Sequence, residues 1–175
     1  MRALFEAPDG TPFWRDVIRH PGAVAVVPVT ERDTVLLVRQ YRGSVDRELL
    51  EIPAGTRDVE GEEPHTTAGR ELEEEVGVRA RSMRLLGSML NSPGFCDQET
   101  LLYLAQHLEP VETGRHSEEE RYIEVVEVPL TEIEAMVASG DLVDAQTVLG
   151  LLLALQALRA GPSGEAPVAP PRPTT

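Results

Sequence analysis

The chain is short of cysteine. Its single Cys96 excludes an internal disulfide and agrees with a reducing compartment. Long apolar runs are missing too. The longest, VLGLLLALQAL, is about eleven residues, against the ~20 that span a bilayer, and reads as a buried helix. The opening MRALFEAPDG lacks the charged-then-apolar pattern of a secretory signal, so a cytoplasmic location is expected. Positive charge is scarce: 16 basic residues face 30 acidic ones, for a formal net charge of −14. That balance argues against nucleic acid and anionic membrane as partners. If the substrate is itself an anion, cations must mediate the meeting. No internal repeat is present.

What remains is the composition of an ordinary globular protein, 41% apolar and 26% charged over 175 residues. That length suits one compact domain with a real core, expected over residues 1–160. The last fifteen residues, GPSGEAPVAPPRPTT (161–175), hold proline and small polar residues without an apolar period. They are expected to form a disordered tail, with a proline-rich ligand as the alternative.

Strand-like runs dominate the middle: AVAVVPV (23–29), TVLLVRQY (34–41), LLEIP (49–53), MRLLGSML (83–90), ETLLYLAQ (99–106) and YIEVVEVPL (122–130). TERD, between the first two, reads as a hairpin turn. Three helices are predicted. One covers 63–76, with Pro64 in its first turn and Gly77 as a stop. A second starts at Thr131, where Glu134 completes a capping-box pattern, and ends near Gly140. A third runs from the N-cap Asp144 to about Ala160. Many strands with three helices, not strictly alternating, predict an α+β sandwich.

The segment GRELEEEVGV crowds Glu71, Glu73, Glu74 and Glu75 into five positions. On a helix, Ala68, Leu72 and Val76 form one apolar stripe. Glu71, Glu74 and Glu75 share an adjoining face, Glu73 points elsewhere, and Arg70 can pair with Glu74 four residues on. A solvated acidic face is the ordinary explanation. Against it, like charges at this spacing cost a few tenths of a kcal/mol per pair, and Gly69 costs about 1 kcal/mol relative to Ala. The preceding EIPAGTRDVEGEE is a glycine-containing loop with further carboxylates. Clustered carboxylate oxygens suit hard divalent ions such as Mg²⁺.

At these residues the chain resembles the Nudix hydrolases, whose pattern is G-x5-E-x7-R-E-U-x-E-E-x-G-U, with U a bulky apolar residue. Glu62, seven residues, then RELEEEVGV (Arg70 to Val78) match every fixed position of its second half. The first glycine departs: the pattern asks for it at Thr56 and the chain has Gly55, so the loop carries one extra residue. The resemblance implies an α/β/α sandwich with a mixed β-sheet. It also implies Mg²⁺ (or Mn²⁺ or another divalent ion) held by Glu71, Glu74 and Glu75 and the backbone carbonyl of Ala54. Arg70 would then orient the glutamates and Glu62 support the loop.

VRQYRG (38–43) followed by RELLEIPAG resembles the ADP-ribose pyrophosphatase branch. Tyr41 reads equally as a core or edge-strand residue and as a platform for adenine. Arg39 and Arg42 read as surface charges or as substrate contacts, Arg42 being the one the resemblance places on substrate. Pro93, sixteen residues after Gly77, reads as a turn proline or as the marker of ADP-ribose hydrolases. Cys96 reads as a passive small residue. In RHSEEERYIEVVEVPL the resemblance implies a general base at Glu119, with Glu118 and Glu120 as neighbours able to take the role. A second loop carboxylate of some relatives falls on Arg121. His20, His65, His107 and His116 match no such position. Only FWRDVIRH (13–20) is expected to serve an N-terminal dimer sheet, with Trp14 at an interface or in the core. The implied activity is Mg²⁺-dependent hydrolysis of ADP-ribose to AMP and ribose 5-phosphate by a homodimer. The alternatives are a pyrophosphatase for another nucleoside diphosphate sugar and a nucleotide-sensing module without turnover.

Overall fold

The computed structural model describes residues 1–112 and 122–161. Strand β3 (Ala23–Pro28) is the centre of the molecule, and every one of its residues is buried. It pairs in parallel with β8 (Glu99–Pro110) and antiparallel with β6 (Ala54–Thr56), while β7 (Val78–Leu90) closes the far side against β8. The sheet β6-β3-β8-β7 is therefore mixed, as expected. A second sheet, β5-β4-β9, is antiparallel and consists of Arg47–Glu51, Thr34–Arg42 and Glu124–Pro129.

Side chains alternate across a strand, so β3 serves two cores. Ala25 and Val27 face one cluster with Leu151, Ala154 and Leu155 of helix α3 (Ala145–Ala160). Val24 and Val26 face another with Ala68, Leu72 and Val76, from helix α1 (Pro64–Glu71) and the turn after it. These two helical layers on a mixed sheet make the α/β/α sandwich. Helix α2 (Ile133–Ser139) adds Ile133 to the α3 side.

Several local expectations change. The first helix does not run as α-helix to Val76: Leu72–Val76 is a π-helical turn, which Gly77 ends at φ 75°. The capping box at Thr131 does not form. Pro129 leads into a 3₁₀ turn, Leu130–Glu132, that takes up Thr131, and Glu134 pairs instead with Arg159 at 3.0 Å. Two short strands were not expected, and a third overlaps the segment 13–20 expected to serve an N-terminal sheet. AGT, read as loop, is β6. At the N-terminus Arg2–Glu6 (β1) and Pro12–Asp16 (β2) form a separate hairpin. Trp14 is outside the core, 55% exposed, with the Arg2 guanidinium 5.3 Å from its ring centre. The predicted tail from 162 onward lies outside the described residues. Among the described residues no helix is long and apolar enough to cross a membrane.

Candidate active site

The chain crosses between the two sheets at Ile52 and Pro53, directly before β6. Here α1 and its π turn press their acidic face on the strand. Glu75 is buried and its Oε2 accepts the backbone N–H of Ala54 at 3.1 Å. Glu71 lies against Gly55 so closely that a Cβ there would stand 2.0 Å from the carboxyl carbon. A side chain at position 55 would therefore displace the Glu71 carboxylate. Beyond Gly55 the loop closes in a turn where Glu62 N–H donates to Val59 O at 3.2 Å and Gly61 takes φ 80°.

Arg70 joins the carboxylates. Its Nη2 is 2.8 Å from Glu71 Oε1 and 3.7 Å from Glu62, and its Nη1 donates to Glu74 Oε2 at 2.8 Å. Burial pulls the Arg70 pKa down, but Glu71 and Glu74, with Glu62, more than offset this, and the net direction is up. Glu62 also accepts the Thr67 hydroxyl at 2.8 Å, tying the loop to the helix. Glu73 turns away and is held by Arg79 at 2.6 and 3.0 Å, a partner that keeps its carboxyl below the usual range. In this arrangement Arg70 contacts the Glu71 and Glu74 carboxylates, Glu62 ties the loop to α1, and Glu73 points outward.

The opposite wall comes from β4. Gln40 and Arg42 point inward, and both reach Glu51, which is only 2% exposed. Arg42 donates through Nε at 2.9 Å and Nη2 at 2.5 Å, and Gln40 Nε2 is 3.4 Å away. The hydrogen bond with Glu51 is the main reason the Arg42 pKa lies above its ordinary value. Gln40, Arg42, Ala54, Gly55, Thr56, Asp58, Arg70, Glu71, Glu74 and Glu75 line one pocket of about 340 Å³.

Strand alternation separates the other candidates from it. Arg39 pairs with Glu124 at 3.2 Å on the outer face, and Tyr41, 56% exposed, donates its hydroxyl to Asp46 at 2.6 Å. Pro93 lines a different cleft of about 760 Å³ with Phe5, Phe13, Phe95 and Cys96. That cleft is laced to the N-terminal segment by Asp97, which accepts from Arg19 Nη1 and His20 N, each at 2.9 Å. Glu118, Glu119 and Glu120 lie outside the described residues, as do Arg121 and His116. Gln40, Glu51, Thr56 and Asp58 were not anticipated. The two-residue period back from Arg42 was the available signal for Gln40, and a glutamate inside an apolar strand was the signal for Glu51.

The donors are all oxygen, which suits a hard divalent cation. They do not form a ready cage: among the described residues no three acidic, His or Cys side chains stand together closely enough to hold an ion. Arg70 draws Glu71 and Glu74 to itself, and Glu75 is turned to the Ala54 amide. The donor chemistry and register fit a cation whose uptake exchanges some of these contacts.

Comparison with known proteins agrees with this geometry. A model of the NUDIX domain matches residues 19–148. An ADP-ribose pyrophosphatase of Bacillus subtilis (strain 168) is 39% identical over 146 residues, covering 83% of this chain and 78% of that protein. A methanol dehydrogenase activator of Bacillus methanolicus is 37% identical with the same coverage. An ADP-ribose pyrophosphatase of Mycobacterium tuberculosis is 38% identical over 83% of this chain and 70% of its own length. Among solved structures, an ADP compounds hydrolase superposes with a TM-score of 0.79 at 26% identity, over 91% of this chain and 85% of that one. The matched span takes in both walls of the pocket, and on it the chain belongs to the NUDIX domain family.

Proposed function

We propose that the chain hydrolyses ADP-ribose to AMP and ribose 5-phosphate in a divalent-metal-dependent reaction, with Mg²⁺ the expected ion and Mn²⁺ able to replace it. The observation that carries this reading is the convergence of Arg42, Ala54, Arg70, Glu71, Glu74 and Glu75 on one pocket, in a chain similar to two ADP-ribose pyrophosphatases. Glu71, Glu74, Glu75 and the Ala54 carbonyl would hold the cation. When bound, the cation lowers the pKa of water and offsets charge on the phosphate oxygens.

The chain's own groups do the rest. Arg70 sets the carboxylates between turnovers. Arg42 carries five N–H donors, of which two go to Glu51. The remainder match a phosphate oxygen. Water adds to one phosphorus, the P–O bond of the anhydride breaks, and the water proton goes to a carboxylate outside the metal site. Glu119 is the base in this reading, with Glu118 and Glu120 as its neighbours. Tyr41, Arg39 and Pro93 belong to substrate binding only if the bound ligand extends beyond the pocket walls. The hairpin β1–β2 exposes Leu4 and Trp14, and two isolated strands are marginal alone. Both features support a homodimer covering that face. The unpaired Cys96 supports action in the cytoplasm.

The test is a panel of nucleoside diphosphate sugars with Mg²⁺ and product identification by mass spectrometry. ADP-ribose should give AMP and ribose 5-phosphate at the highest kcat/KM. Preference for another nucleoside diphosphate sugar would move the assignment within the family, and no metal-dependent turnover on any would favour a sensing module.

A further inference from the structure

The crossing at Ile52 and Pro53 leaves the sheet ladder, so its backbone groups need other partners. Pro53 has no N–H, and its carbonyl accepts Val26 N–H at 2.9 Å. Ile52 is fully buried, and its N–H donates to Oγ1 of Thr147, 3.0 Å away in the first turn of α3. Thr147 is itself fully buried. Its one hydroxyl proton goes to Asp144 Oδ2 at 2.7 Å, which turns a lone pair toward Ile52. Asp144 is fixed in turn, because the same oxygen accepts the Thr147 backbone N–H at 2.9 Å. Two residues past Ile52, the Ala54 N–H is bonded to Glu75. Thr147 and Glu75 thus grip the same crossing from the two opposite helical layers.

We propose that Thr147 is a positioning residue of the site: its hydroxyl, oriented by Asp144, fixes the path 52–54 and so sets Ala54 against Glu75. This rests on the reading that Ala54 and Glu75 hold the divalent cation. Capping of α3 does not account for the contact, because Asp144 fills that role. A threonine in a first helical turn needs no acceptor contact with a crossing segment 95 residues earlier in the chain. Removing a group that orients a metal ligand weakens metal binding even though it touches no metal.

The test compares Thr147→Val, which keeps the shape and loses the acceptor, with Thr147→Ser, which keeps the hydroxyl. Mn²⁺ binding is measured by electron paramagnetic resonance without substrate, beside thermal melting and the Mg²⁺ dependence of ADP-ribose turnover. Thr147→Val should bind Mn²⁺ about tenfold more weakly and need correspondingly more Mg²⁺ for half-maximal rate, with Thr147→Ser within about twofold of wild type. A folded Thr147→Val with wild-type Mn²⁺ affinity, even with a lowered Tm, overturns the proposal and leaves Thr147 a stability residue. Should the valine variant not fold, Thr147→Cys, with its weak acceptor, takes its place under the same criteria. A wild type that binds Mn²⁺ but leaves ADP-ribose intact overturns the substrate reading alone, and Thr147 is then judged on Mn²⁺ affinity. A wild type that binds no Mn²⁺ overturns both.

Discussion

Helices α1 and α3 reach the same stretch, residues 52–55, from opposite faces of the sheet, and they are built differently. α3 obeys its local rules. It has 16 residues, a bonded N-cap in Asp144, and buried Leu151, Ala154 and Leu155. It packs so tightly that a Cβ on Gly150 would lie 2.8 Å from Ile52 Cδ1. α1 breaks its local rules. It has eight α-helical residues, no side-chain cap at Glu63, Gly69 in its interior and clustered like charges leading into a π turn. Tertiary packing holds it: Ala68 and Leu72 are fully buried against Val24, Val26 and Tyr103. The difference separates roles. In the proposed reading, the residues that strain α1 and its π turn are the metal ligands, while α3 mainly carries the fold and reaches the site only through Thr147. π turns inside helices are frequent at functional sites.

The comparison breaks most visibly if α1 supplies the proton acceptor as well as the metal ligands. Carboxylates on a cation are poor bases, so the acceptor should come from elsewhere. Glu119→Gln should slow turnover by roughly two to four orders of magnitude at saturating metal and substrate. Parallel assays of Glu118→Gln and Glu120→Gln fix the register, and wild-type rates in all three would mean that none of these glutamates is the base. Next in size is Gly55→Ala. The added methyl pushes Glu71 out of place, and turnover should fall about ten- to hundredfold while the melting temperature stays close to wild type. Mg²⁺ titration of the rate distinguishes a displaced ligand from general damage.

On the α3 side the readout should invert. Gly150→Val overpacks the contact with Ile52 and should cost about 1–3 kcal/mol of stability in denaturant unfolding. An unchanged unfolding midpoint would mean that α3 is less tightly seated than its geometry indicates. The smallest effect belongs to Glu73→Gln. Glu73 shares the π turn with Glu74 and Glu75 but is paired outward with Arg79, 61% exposed. Its carboxyl is held below the usual range by Arg79. The pair therefore stabilises the fold above the unfolded carboxylate pKa, and that contribution is lost as the pH falls through the lower folded value. Solvent screens it. Turnover and melting should stay near wild type at neutral pH, with the variant's acid-melting profile slightly flatter.

Much of this was legible in the sequence, for reasons tied to particular residues. The α1 glutamates stood out because they oppose helix propensity, and Ala68, Leu72 and Val76 because their period is helical. Gly77 and Gly140 marked helix ends that the structure bears out with positive φ. Other features had no local signature. The β6 strand AGT is three residues long and exists through pairing with Ala23, Val24 and Ala25. The hairpin β1–β2 lies in sequence without clear alternation. Thr131 and Glu134 had the capping pattern, but the Ile133 N–H donates to Leu130 O and closes a 3₁₀ turn over Leu130–Glu132 first. Thr147 was invisible because its partner, Ile52, is joined to it only by the fold.

The central claim, that the acidic face of α1 is a metal site and not a structural element, is tested most directly on Glu75. Glu75→Gln removes one of several crowded like charges and leaves an oxygen for the Ala54 N–H. Rate and thermal melting are measured on the same preparation across a Mg²⁺ titration. If Glu75 holds the cation, the melting temperature stays at or near wild type in the absence of Mg²⁺ while at least about 99% of turnover is lost. A folded variant with near-native turnover and unchanged Mg²⁺ dependence would contradict it.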